Sequence, residues 1–89
     1  MATFLVFIRP RENFDFNRFS THMRTYPDWA QLNARLWMVT FNGNAAQIRD
    51  TISHATERTC EIKAIKISGD GWATLNIDRV LTDWMTENV

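Results

Sequence analysis

The chain alternates between runs of β-branched and aromatic residues and segments whose apolar residues recur every three or four positions. Runs of the first kind predict strands, because such side chains favour extended backbone. Within the longest run, Asn33 and Ala34 interrupt the apolar residues and predict a tight hairpin, with a single bent strand as the alternative. The strand-like runs are Thr3–Ile8, Trp29–Phe41, Cys60–Ile67 and, after the turn-forming sequence SGDG, Trp72–Ile77.

Three segments have the periodicity of a helix that buries one face. Asp15, Asn44 and Asp78 precede them as N-caps, and Gln47 completes a capping box with Asn44. Pro27 ends the first helix, because the residue before a proline disfavours helical backbone. The apolar residues of the three helices are Phe16, Phe19, Met23 and Tyr26; Ala45, Ile48, Ile52 and Ala55; and Val80, Leu81, Trp84 and Met85.

The predicted order is strand, helix, strand, strand, helix, strand, strand, helix. The first six elements match the βαββαβ unit of ferredoxin-like domains, whose antiparallel sheet carries both helices on one face. We therefore expect residues 1–89 to form a single ferredoxin-like α+β domain, a two-layer sandwich with an extra C-terminal strand and short helix. The first and third strands would be central.

Both predicted central strands are apolar on both faces, although a sheet covered on one side should alternate apolar and polar residues. Leu5 and Phe7, with one of the two alternating sets of the third strand, would lie bare. Covering four or five such side chains is worth roughly 6–12 kcal/mol, which rivals the stability of a small domain. A second copy, the C-terminal helix or a partner protein must therefore cover this face.

We favour a two-fold homodimer, because closed two-fold pairs are the commonest assembly. The last helix adds a tryptophan that is a candidate interface anchor. The predicted interface residues are Leu5, Phe7, Trp37, Val39 and Trp84.

Composition narrows the classes of partner. Ten basic and ten acidic side chains cancel, so there is no overall field to attract nucleic acid. The single cysteine, Cys60, cannot form an internal disulfide, and a reducing cytoplasm is the simplest setting. No segment approaches the roughly 20 apolar residues that span a bilayer, so we expect no membrane segment.

Four stretches resemble small SinR-like proteins: TFLVFI, YPDWAQLNARLWMV, AAQIRDTI and IKISGDGWATLNI. Those proteins are distant relatives of the ferredoxin-fold subunit of the CRISPR adaptation complex and of VapD toxin ribonucleases. The resemblance covers about residues 3–77 and implies a ferredoxin-like fold, homodimers and a bacterial or mobile-element setting.

The resemblance also bears on catalysis. In the CRISPR-related nucleases, an aspartate at the end of the first strand holds a divalent cation, and the position that matches it here is Arg9. A guanidinium cannot ligate Mg²⁺, which needs oxygen donors, and neither Ile8 nor Pro10 would be better. We therefore expect an interaction protein without catalytic residues, metal or cofactor.

Two alternatives stay open. One is a divergent metal-dependent endoribonuclease or RNA-binding protein that contacts phosphates mainly through Arg9, Arg11 and Arg35. The other is an inhibitor that binds a host protein machine. Against a basic patch, the arginines would be solvated or paired with Glu12 and Asp15. The full set of arginines that could form such a patch is Arg9, Arg11, Arg18, Arg24 and Arg35.

The remaining chemistry-bearing residues favour structural roles. His22 and His54 lie on different helices, which argues against a shared metal site. Cys60 lies in an apolar strand and predicts a buried thiol. Trp29, Trp37 and Trp72 are predicted to be core or interface residues, since a base-stacking platform would need them exposed beside arginines.

Overall fold

The computed structural model describes residues 1–67 and 79–89, without the side chains of residues 79–82. The predicted strand Trp72–Ile77, the SGDG turn and the Asp78 cap lie outside the described residues. The elements within them are β1 (Ala2–Pro10), α1 (Phe16–Met23), β2 (Trp29–Asn33), β3 (Leu36–Phe41), α2 (Ala45–Ala55), β4 (Cys60–Ile67) and α3 (Arg79–Asn88).

The four strands form one antiparallel sheet in the order β2-β3-β1-β4. The α+β class, the βαββαβ order and the central positions of the first and third strands are thereby confirmed. β1 is longer than expected and includes Arg9, which lies opposite Glu61 of β4. At the next level toward the centre of β1, Phe7 lies between Leu36 of β3 and Lys63 of β4.

A tight hairpin joins β2 to β3, as predicted. Asn33 and Leu36 are strand partners, which leaves Ala34 and Arg35 as the turn. The Asn33 side-chain oxygen accepts a hydrogen bond from the Arg35 backbone N–H at 2.8 Å. This side-chain bond satisfies a turn donor locally, which is how asparagine favours tight turns.

The first two helices begin at their predicted caps. The Asp15 carboxylate accepts from the Arg18 backbone N–H at 3.2 Å. Asn44 and Gln47 form both halves of the capping box, with bonds of 2.9 and 2.8 Å. Each bond satisfies a backbone N–H that has no partner within the helix.

Both α1 and α2 pack on one face of the sheet and form the main core there. Trp37 lies near its centre, where its ring meets the Phe19 ring edge-on at 5.9 Å between centroids. The Trp37 indole N–H is buried and finds no acceptor among the described residues. The buried cluster contains Phe4, Val6, Ile8, Phe19, Met23, Tyr26, Trp37, Val39, Ile48 and Ile52.

The C-terminal helix covers part of the other face of the sheet. α3 contacts β2, and the Thr3 hydroxyl of β1 donates to the Asn88 carbonyl at the end of α3. Met85 of α3 is buried, and so are Met38 and Thr40 of β3 on the second face. One end of that face is therefore covered within the chain.

Phe4 and Phe7 provide a matched test of the two faces, because they share β1 but point to opposite sides. Phe4 is 1% exposed and Phe7 is 44% exposed. We expect Phe4→Ala to lower the free energy of unfolding by about 3–5 kcal/mol and Phe7→Ala by about 1 kcal/mol or less. Urea unfolding at low micromolar protein measures both, and equal losses would show that the second face is packed within the chain.

Candidate interaction surface

The part of the second face that α3 leaves uncovered is called the open end here. It is formed by β1 and β4, whose side chains on this face meet in three cross-strand pairs. The pairs are Leu5 with Ile65, Phe7 with Lys63, and Arg9 with Glu61.

The open end exposes large apolar side chains. Phe7 is 44% exposed and Ile65 is 53% exposed, while Leu5 and Leu36 beside them are half-buried. Leu5 pairs with Ile65 of β4, and Phe7, two residues along β1, pairs with Leu36 of β3. The four side chains therefore form a continuous patch. Contiguous apolar surface with a polar rim is typical of interaction sites.

A cluster of charged side chains, Arg9, Arg11 and Glu61, borders this patch. The Glu61 carboxylate accounts for the cation at the end of β1, because Arg9 lies opposite Glu61 of β4. Arg11 Nη2 lies 3.0 Å from Glu61 Oε1, and Arg9 Nη1 lies 3.8 Å from Glu61 Oε2. The hydrogen bond from Arg11 lowers the pKa of the Glu61 carboxyl. Arg9 and Arg11 are thus exposed and lie beside Glu61, whereas Asp15, one of the two acids offered as alternative partners, caps α1.

Phe7, Arg9, Glu61 and Lys63 line a shallow hollow of about 180 Å³. It has an aromatic wall, two cations and one carboxylate. Its lining therefore offers apolar contact and charges of both signs, which suits a protein surface that carries both.

The structure places the predicted interface residues on different faces. Leu5 and Phe7 belong to the open end, and Trp84 is half-buried on α3. Trp37 and Val39 have 0% exposure and belong to the core. These two point toward the helices because they pair across the sheet with Val6 and Phe4, and strand partners share a face. They are buried within this chain and are not available to a partner.

Three of the five predicted phosphate-contacting arginines lie at one end of the sheet. Arg9 and Arg11 adjoin Glu61, and the Arg35 carbonyl accepts the Ile8 N–H at 2.9 Å, which brings the hairpin beside the end of β1. Arg18 instead pairs with Glu57 on the helical side.

Trp29 combines exposure with a neighbouring cation, as a stacking platform requires. It is 39% exposed, and the Arg24 guanidinium lies 5.7 Å from its ring centroid. The Trp37 ring packs against it at 5.7 Å but is itself buried. The sequence alone did not indicate the contact between Arg24 and Trp29, because it depends on how the end of α1 packs against β2. Trp72 lies outside the described residues.

Two of the remaining titratable side chains, His22 and Cys60, are partly buried in the fold. His22 Nε2 lies 3.1 Å from the Tyr26 hydroxyl, and partial burial lowers the pKa of His22. Burial also raises the pKa of the half-buried Cys60 thiol. Within residues 1–67 and 79–89, no group of three or more His, Cys, Asp or Glu side chains could hold a metal ion.

Comparison with known proteins finds no family model, curated protein or solved structure that matches the chain. Among the described residues, no helix is long and apolar enough to cross a membrane.

The partial burial of His22 predicts a pH dependence of stability. The pKa of His22 is lowered by folding, so the unfolded chain takes up a proton more readily as pH falls through about 6.5. Stability from this group is present above that pH and is lost below it. We expect urea unfolding to show a smaller loss between about pH 7.5 and about pH 5.5 for His22→Gln than for the wild type.

The exposed His54 supplies the control for this experiment. His54→Gln is the matched control, because it makes the same substitution at an exposed position on α2. An unchanged pH dependence in His22→Gln would contradict the assignment to the partly buried His22.

Proposed function

We propose that this chain is a small, non-catalytic protein-interaction domain that forms a homodimer through its open end. The observation that carries the proposal is the exposure of Phe7 and Ile65 on a sheet face whose other end α3 already covers. Water contact with these side chains is unfavourable, and burying them against a second surface stabilises the complex by about 25 cal/mol per Å² of apolar area.

A ferredoxin-like topology is the fold that we propose for the domain. The strand order β2-β3-β1-β4 and the packing of α1 and α2 on one face support it. The resemblance to SinR-like proteins agrees with this topology and with homodimers, and family membership remains a proposal.

The surroundings of Arg9 support a role without catalysis. The resemblance puts a metal-binding aspartate where this chain has Arg9, and Arg9 lies 3.8 Å from the Glu61 carboxylate. Cations at this end of β1 would repel a divalent metal ion, and Arg11 already hydrogen-bonds Glu61.

Nucleic-acid binding is the second candidate, and the gathering of Arg9, Arg11 and Arg35 at one end of the sheet favours it. An exposed aromatic ring beside cations is the arrangement that stacks single-stranded bases. Phe7 has Lys63 opposite it and Arg9 two residues away. The shared Glu61 weighs against it, because its carboxylate neutralises part of the charge.

Self-association is tested by sedimentation velocity over about 5–500 µM protein, a range that brackets weak association. We expect the mean mass to rise from one chain toward two. Phe7→Ser and Ile65→Ser should each weaken the dimer at least about tenfold, since each removes one of the two most exposed apolar side chains of the open end. Phe16→Ser is the matched control, because Phe16 is 40% exposed but lies on α1.

Two results would contradict the proposal. One is a wild-type chain that keeps the mass of one copy throughout the concentration range. The other is a dimer that Phe16→Ser weakens as much as Phe7→Ser does.

A titration with fluorescent single-stranded RNA separates the two candidate functions. If the open end serves protein contacts, we expect no binding tighter than about 100 µM at about 150 mM salt, in the weak range of non-specific contacts. Tighter binding that falls steeply with salt, is lost in Arg9→Ala and persists in Arg24→Ala would assign the surface to nucleic acid.

A further inference from the structure

We infer that two copies of this chain meet open end to open end, with their sheets face to face. The two-fold axis that relates them lies between the two sheets, runs parallel to β1 and β4, and passes above the line midway between these strands. The inference rests on the proposed self-association and specifies which residues of one copy face which residues of the other.

The cross-strand pairs of the open end are chemically complementary within each pair. Arg9 with Glu61 joins opposite charges, and Leu5 with Ile65 joins two apolar side chains. Phe7 with Lys63 places an aromatic ring beside a cation. Partners in such pairs lie at the same level along the strands, about 5 Å apart across the sheet.

A two-fold axis parallel to the strands exchanges the members of every pair without changing their level. It places β1 of one copy above β4 of the other, so that Arg9 faces Glu61 across the interface. At the next level Phe7 faces Lys63, which is the geometry of a cation–π contact. Each of these contacts occurs twice, as a two-fold interface requires.

The alternative two-fold axis also lies between the two sheets but runs perpendicular to the strands, at the level of Phe7 and Lys63. It lacks this complementarity. It would reverse the order of the levels and stack like residues at the centre, so that Phe7 would face Phe7 and Lys63 would face Lys63. It would also place the Glu61 carboxylate against the apolar Ile65. Opposed like charges and a desolvated carboxylate disfavour that arrangement.

The charge geometry within one chain leaves room for the exchange. Arg9 lies 3.8 Å from Glu61, beyond a hydrogen bond, whereas Arg11 holds the other Glu61 oxygen at 3.0 Å. The Arg9 side chain is 77% exposed, so its guanidinium is accessible to a carboxylate from above the sheet. Glu61 can therefore keep its hydrogen bond with Arg11 and also form an ion pair with Arg9 of the second copy.

The small extent of the surface limits the strength of the dimer. Stable interfaces bury about 800 Å² on each partner, and complexes with less area lie at the weak end. The open end contributes the side chains of three cross-strand pairs, in part half-buried. We therefore expect an equilibrium between one and two copies that depends on protein concentration.

Charge exchange between copies tests the arrangement. Arg9→Glu and Glu61→Arg are prepared separately with tags of different mass. Each variant alone would oppose like charges twice across the axis, and we expect its dimer to weaken at least about tenfold. In an equal mixture, the introduced glutamate of one variant would face the introduced arginine of the other, and the remaining Arg9 would face the remaining Glu61. Native mass spectrometry should therefore show mixed dimers in excess of both like pairs.

The double variant R9E/E61R should dimerise alone, because both charges are reversed together. The control is the ion pair of Arg18 and Glu57, which lies on the helical side and is similarly exposed. R18E and E57R should dimerise like the wild type and mix without preference. Circular dichroism spectra should match across all variants, since every exchanged side chain is exposed.

The outcomes separate this inference from the proposal on which it rests. If the wild type dimerises but R9E and E61R show no preference for each other, the axis is wrong and self-association stands. If the wild type stays a single copy throughout, both fail, and the open end belongs to a different protein or, where RNA binds, to nucleic acid.

Discussion

The structure depends on one constraint, which is that β1 is hydrogen-bonded on both sides and apolar on both faces. Its partners β3 and β4 take up its backbone donors and acceptors, so only the two faces of the strand can reach other parts of the molecule. Phe4, Val6 and Ile8 on one face are sealed by α1 and α2. Leu5 and Phe7, which point to the other face, are not covered by these helices. Any function proposed for the chain therefore has to account for this partly exposed apolar face.

The chain covers this second face only in part. α3 lies over the end that holds Thr3, Met38 and Thr40, and all three residues are buried. The open end keeps Phe7 and Ile65 in water. Such a surface favours association, but folding of the single chain does not depend on it. The main core buries more apolar side chains than the open end exposes.

Charges at the rim decide which surface can dock there. Glu61 carries a negative charge among Arg9, Arg11 and Lys63, and these side chains lie within one corner of the sheet. Exposed ion pairs stabilise a fold by little, so their main effect is on the orientation of a docking partner and on the partners excluded. In the proposed dimer, a second copy would supply the same charges in exchanged positions, so that the corner would be complementary to itself.

The sequence by itself determined the strands and the helix starts of residues 1–67, because caps, periodicity and turn residues act over a few neighbouring positions. The end of α1 was predicted too late, since the helix ends at Met23 and does not continue to Tyr26 before Pro27. The Asp15 and Asn44 caps, the hairpin at Ala34 and the apolar character of both faces of β1 were all readable. The tertiary structure decided what lies beside what. Both alternating sets of β3 are apolar, so only the register with β1 could send Trp37 and Val39 into the core and leave Leu36 beside Phe7. The pairing of Arg9 and Arg11 with Glu61, about fifty residues later in the chain, likewise depends on the alignment of β1 with β4, which no local pattern encodes.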